Sequence, residues 1–307
     1  MNDLELQVKK LLDNQLHTWQ VVQDNYAALD FVQIRRIECL GREVLLQFNP
    51  KRIRSSAAKV DKASLEARPC FFCYRPKEQE SVIYNSDFEI LVNPYPIFQE
   101  HLTIPLLRHE RQQVKPYIGT MLDLTKSLPS FAIFYNGPKC GASAPDHMHF
   151  QAGTREGFPV IQNWIREEKK LIWEKNGVNL YMNSYISPTT LFFVSKDREG
   201  VLELFERLYD LLDIKQEEYE PRINLLTWVN QEEWIICLFP RESSRPSCYY
   251  AEENDKILIS PATVEMSGLF ITPLESDFLK VTAKDLQTIW QEVSVEKDKI
   301  ESLICKI

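Results

Sequence analysis

The run His147-Met148-His149-Phe150-Gln151 sets two imidazoles and a carboxamide at alternate positions. In an extended chain alternate side chains share a face, so His147, His149 and Gln151 point one way and Met148 and Phe150 the other, into a core. Imidazole is the side chain whose ordinary pKa suits nucleophilic and acid–base work near neutrality. Of the chain's five histidines, four fall between positions 101 and 149: His101, His109, His147 and His149. A bland reading, two surface histidines on an exposed strand, competes with a catalytic one. The preceding loop, Asn136-Gly137-Pro138-Lys139-Cys140-Gly141-Ala142-Ser143-Ala144, tips the balance. Its small residues let backbone N–H groups approach anionic oxygens, and it adds an amide, a lysine and a hydroxyl. It is not a Walker loop.

Cys70-Phe71-Phe72-Cys73 has the spacing with which one tight turn brings two thiolates to one metal. A redox pair or two core cysteines fit the same spacing. The chain has no second such pair, so a metal would borrow histidines, with His109 and His147 as candidates. Four protein ligands leave no open position, and a zinc held so would be structural.

These groups need a scaffold. Apolar spacing predicts an amphipathic helix over 3–23, then strands near 30–38 and 43–49. The basic, small-residue segment 51–67 (Lys51, Arg52, Arg54, Lys59, Lys62) reads as a mobile loop near a phosphate site. Strands are expected at 81–93, 100–107 and 131–136, a helix at 116–127, and a further strand carries the histidine motif. The order then recurs: strand 190–195, helix 198–213, strands 222–229 and 232–239. We read this as an internal duplication in an α+β chain, with a catalytic half at 1–157 and a degenerate half at 158–307 that completes the substrate pocket. The second half contains no histidine. Helices near 283–293 and 295–305 close the chain.

Composition narrows the class. The 307 residues are 44% hydrophobic and 26% charged, ordinary for a globular protein with a real core. Net charge is −8 and the basic residues form no block, which disfavours a nucleic-acid groove but leaves room for a small anionic substrate. The acidic start Met1-Asn2-Asp3-Leu4-Glu5 is not that of a signal peptide, and no apolar run approaches a membrane span. Cytoplasm and reduced cysteines are the expectation, for which an odd count of seven also speaks.

The chain resembles the histidine-triad superfamily, specifically the branch holding galactose-1-phosphate uridylyltransferase, dinucleoside polyphosphate phosphorylases and GDP-hexose phosphorylases. Asn93-Pro94-Tyr95-Pro96 with Glu100-His101-Leu102-Thr103-Ile104-Pro105-Leu106-Leu107-Arg108-His109 looks like its His–hydrophobic–Pro–basic–His strand, with Glu100 where the family has Gly. His147-x-His149-x-Gln151 looks like the branch signature, and Cys70-x-x-Cys73 like the zinc turn. Looser likeness to the GDP-hexose phosphorylases runs through Leu225–Asn230 and Val264–Gly268. The resemblance implies an antiparallel histidine-triad fold, His149 as nucleophile, and Cys70, Cys73, His109 and His147 as ligands of a structural zinc. It implies that Gln151 favours transfer over hydrolysis, that Ser143 assists the chemistry, and that Asn136, Gly137, Lys139, Gly141 and His101 line the substrate. The activity implied is cleavage of a nucleoside diphosphate sugar, GDP-hexose among the candidates, with phosphate or a sugar phosphate as acceptor. A diadenosine tetraphosphate-type phosphorylase is the alternative within that chemistry, and a non-catalytic, zinc-stabilised nucleotide-binding protein the alternative outside it.

Overall fold

The computed structural model describes residues 2–53, 61–166, 168–183, 188–252 and 255–307. Its strands are β1 (Gln33–Cys39), β2 (Arg42–Phe48), β3 (Ser81–Tyr84), β4 (Phe88–Val92), β5 (His101–Pro105), β6 (Phe131–Asn136), β7 (His149–Thr154), β8 (Lys169–Lys175), β9 (Val178–Asn183), β10 (Leu191–Ser195), β11 (Ile223–Asn230), β12 (Glu233–Pro240) and β13 (Leu269–Thr272). Ten of them form one sheet in the order β3-β4-β5-β7-β6-β11-β12-β10-β9-β8, every pairing antiparallel. That order is the same five-strand unit twice, back to back across β6 and β11. Each unit is a three-strand meander, a helix (Ile118–Ser127 or Arg198–Leu211), and two strands of which the last inserts beside the meander. The duplication read from element order is therefore present in the topology.

The sheet is buried on both faces, and its strands alternate accordingly. Phe131, Ile133 and Tyr135 of β6, with Phe150 and Ala152 of β7, face a core roofed by the helices Asp3–Thr18, Gln20–Ala27, Ile118–Ser127 and Arg198–Leu211. Ala132 and Phe134 face a second core, under β1, β2, β13 and the helices Glu275–Lys280 and Ala283–Val293. His149 and Gln151 share this second side by the pleat. β13 runs parallel to β2, so the second half supplies a strand to the small sheet that the first half begins.

Several boundaries differ from expectation. The N-terminal helix is two helices: Trp19 takes extended backbone (φ −117°, ψ 104°) and buries its ring, bending the chain. The 81–93 segment is two strands, because Asn85 (φ 47°) turns the chain while its side-chain oxygen accepts from the N–H groups of Asp87 and Phe88. The segment 51–67 is not all loop. Pro50–Arg52 forms a 3-10 turn and Lys62–Glu66 a helix capped by Asp61, while Arg54 and Lys59 lie outside the described residues. The motif strand begins at His149, not before it, so His147 sits in the approach to β7. The hairpin β8–β9 was not foreseen, although Asn176-Gly177, both at positive φ (52° and 76°), is the strongest short-range hairpin signal. No helix among the described residues is long and apolar enough to cross a membrane.

Candidate active site

His149 opens β7 on the second-core face and is 3% exposed. Its Nδ1 lies 2.8 Å from the His147 carbonyl oxygen. A carbonyl only accepts, so Nδ1 carries the proton and Nε2 keeps its lone pair. Burial pushes the imidazole down to about 4, against the opposing effect of that carbonyl bond, so the ring is neutral near pH 7. A neutral imidazole with one nitrogen tethered and the other unprotonated is the form a nucleophile requires. The Phe72 ring packs against it at 5.0 Å.

Gln151, two residues on, is held by His101. The His101 Nδ1 accepts the Ile97 N–H at 3.2 Å, so its proton is on Nε2, which donates to Gln151 Oε1 at 3.1 Å. This fixes the flip of the Gln151 amide and turns its NH2 away from His101. His101 is fully buried, and burial together with the Arg52 guanidinium drives it down to about 3. With both nitrogens engaged, it supports Gln151 and has no free nitrogen for a ligand. Phe98 seats it edge-on at 5.5 Å, and Gly153 and Gly157 make room for that ring, since a Cβ at either would come within 2.3–2.4 Å of a Phe98 carbon. Arg52 donates to the Tyr95 carbonyl at 2.8 Å.

The loop before the motif is pinned to the second half. Asn136 Oδ1 accepts from the Thr263 N–H (2.9 Å), the Thr263 hydroxyl (2.7 Å) and Asn224 Nδ2 (3.2 Å). The Gly137 N–H is committed to the Ile223 carbonyl, and a Cβ there would stand 2.6 Å from that oxygen. Gly141 (φ +89°) packs on Ala262, where a side chain would collide. Packing therefore accounts for both glycines before any ligand does. Lys139 is exposed and Ser143 half-buried on the same loop. Behind it, the buried Arg241 donates to Asn224 Oδ1 and to the Pro261 carbonyl.

Cys70, Cys73, His109 and His147 converge, with their donor atoms all within 4.8 Å of one another. His147 Nε2 donates to the Leu106 carbonyl (2.7 Å), which leaves Nδ1 free of a proton and facing the Cys70 sulfur at 3.2 Å. Cys73 lies 3.3 Å from His109 Nδ1. Two thiols and two imidazoles on this scale are a donor set that suits a tetrahedral divalent ion, with no position left over for substrate. Asp146, which precedes the motif, pairs with Arg68 at 2.6 Å and ties the cysteine turn to the same segment. Glu100, just before His101, pairs with Lys9 of the first helix.

Gln112 was missed by the sequence. It is fully buried, and its carboxamide accepts from the His149 N–H (2.8 Å) while donating to the carbonyls of His149 and Asn136 (both 3.0 Å). Nothing in its type or neighbours marks it, because its partners are distant in sequence.

Residues 11–154 match a family described only as a domain of unknown function, DUF4922, and residues 168–307 match the GDPGP1-like C-terminal domain family. The chain is similar in fold to yeast Ap4A phosphorylase Apa2. For the Apa2 complex with AMP, the TM-score is 0.61 at 14% identity over 92% of this chain and 97% of that one. For a second structure of Apa2 the score is 0.59 at 15% identity, covering 89% and 94%. No curated protein sequence matches the chain. Both likenesses run along nearly the whole of the chain and are likenesses of fold.

Proposed function

We propose that the protein is a nucleotidyltransferase of the phosphorylase type that cleaves a nucleoside diphosphate sugar, GDP-hexose first among candidates. The observation that carries this is the tautomer of His149: Nδ1–H tied to the His147 carbonyl, Nε2 bearing a lone pair. In the first step Nε2 attacks the α-phosphorus, and the bond to the bridging oxygen breaks with its electron pair leaving on the sugar phosphate. In the second, an oxygen of inorganic phosphate or of a sugar phosphate attacks the same phosphorus, and the P–N bond breaks back to Nε2. Covalent catalysis divides one hard displacement into two. As the ring acquires positive character its Nδ1–H bond to the carbonyl strengthens. The Gln151 NH2 and the Ser143 hydroxyl donate to non-bridging oxygens, with Lys139 at the loop's exposed edge.

The half 1–157 carries this chemistry and 158–307 closes the pocket around it, a division that the separate family matches over 11–154 and 168–307 support. We assign zinc to Cys70, Cys73, His109 and His147, where it would anchor the base of the motif as a structural ion. The test is a panel of GDP-hexoses, UDP-hexoses and diadenosine tetraphosphate, each with and without inorganic phosphate. Turnover of a GDP-hexose that depends on phosphate, abolished in a folded His149→Ala protein, is expected. Wild-type turnover by His149→Ala would refute the covalent route. Turnover of the dinucleotide alone would move the assignment to the polyphosphate phosphorylases, and no turnover or trapped nucleotide at all would make this a binding protein.

A further inference from the structure

The two halves share a topology but differ in one segment. After β10 the chain enters its helix across residues 196–197, whereas after β5 it takes residues 106–117 to reach the matching helix. This extra segment lies along the approach to β7. The Leu106 N–H donates to the Met148 carbonyl (2.9 Å), the Met148 N–H to the Glu110 carbonyl (2.6 Å), and the Gln112 N–H to the Pro145 carbonyl (3.0 Å). It carries His109 of the metal set, and it carries Gln112.

The ladders differ at the same place. β11 and β12 pair without a break from Ile223↔Pro240 to Asn230↔Glu233. β6 and β7 pair only from Phe131↔Thr154 to Phe134↔Gln151. Continued in register, that ladder would set Asn136 opposite His149. There the strands part, and the Gln112 carboxamide fills the gap, taking both backbone groups of His149 and the Asn136 carbonyl. On its other side His149 faces Pro105, which has no N–H to give. In the second half, which lacks the segment, the matching face of β12 is apolar, with Ile235, Cys237 and Phe239.

We infer that Gln112 is a positioning residue for the nucleophile: it stands in for a strand at the point where the sheet opens, and holds the His149 peptide so that the ring keeps its tether to the His147 carbonyl. The inference rests on the reading of His149 as nucleophile. A side-chain clamp satisfies the backbone groups of His149 without a neighbouring strand closing over the imidazole. Loss of the clamp leaves one buried N–H and two carbonyls without this partner and lets the ring shift, and a displacement of about 1 Å at a reacting group can cost about 100-fold in rate.

The experiment compares wild type with Gln112→Met, of similar shape without the hydrogen bonds, and Gln112→Glu, which keeps the acceptor and loses both donors. Expected in either folded variant is a drop in kcat of about 100-fold with KM little changed. In protein labelled with 15N-histidine, the wild-type His149 ring should show one tautomer with the proton on Nδ1, and the variants a mixture. In wild type, the His149 amide should be protected from hydrogen exchange. Wild-type kcat in a folded variant, an unchanged ring signature, or a fast-exchanging His149 amide each overturns the inference. The ring and exchange readouts need no substrate. If His149→Ala retains activity while those readouts behave as expected, the nucleophile reading has failed and the clamp has not.

Discussion

His147 and His149 are two residues apart and hold opposite tautomers. His147 gives its Nε2 proton to the Leu106 carbonyl and turns Nδ1 to the thiols, while His149 gives its Nδ1 proton to the His147 carbonyl and leaves Nε2 with its lone pair. Each assignment follows from an acceptor that cannot donate. The same logic runs through Ile97, His101 and Gln151, and it yields a prediction at this scale. If His101 acts only by orienting the Gln151 amide, His101→Ala and Gln151→Ala should each lower kcat, and the double variant should be no slower than Gln151→Ala alone. Additive losses in folded proteins would mean that His101 has a separate role.

At the scale of elements, the cysteine turn and the motif segment are one unit, joined by the four-donor cluster, by Arg68–Asp146 and by Phe72, which touches the rings of both His147 and His149 at 5.3 and 5.0 Å. Metal removal should therefore loosen the floor of the nucleophile. We expect purified protein to contain stoichiometric zinc, and a strong chelator to lower Tm and to speed hydrogen exchange in residues 68–74 and 106–112 while leaving β11–β12 protected. A metal-free protein whose Tm does not respond to chelator would remove zinc from the account.

At the scale of the whole molecule, two of the buried carboxylates outside the proposed chemistry, Glu220 and Glu265, hold their protons more tightly than usual. Burial raises Glu220, bonded to Tyr135 and the Val114 N–H, to about 8 and Glu265 to about 7. Both values exceed that of an unfolded chain, so between the two the native state holds protons that the unfolded state has released, and stability falls as pH rises. The lowered histidines act oppositely, but their contribution is complete above their unfolded value of 6.5. A decline in Tm from about pH 6.5 to 8 is thus expected, with Glu220→Gln flattening it. A Tm that climbs through that window in both proteins would contradict the linkage.

Local patterns made much of this legible. The apolar run 131–136, the alternation along 147–151, the Cys-x-x-Cys spacing and the repeated strand–helix–strand–strand order are short-range features, and each reflects a run, a period or a turn that the backbone imposes on its own residues. The Asn176-Gly177 turn is a signal of the same short range. What only the tertiary structure decided is which groups meet. The four candidate metal donors come from positions 70 to 147, and Gln112 reaches His149 and Asn136 at once. Asn136 and Gly137, expected to line the substrate, give the amide oxygen and the N–H that could serve it to Thr263, Asn224 and Ile223 of the other half. Hydrogen bonds between residues far apart in the chain leave no period in the sequence. The strand that bears the proposed nucleophile could therefore be read from its own residues, whereas the side chain that replaces its neighbouring strand could be found only in the folded molecule.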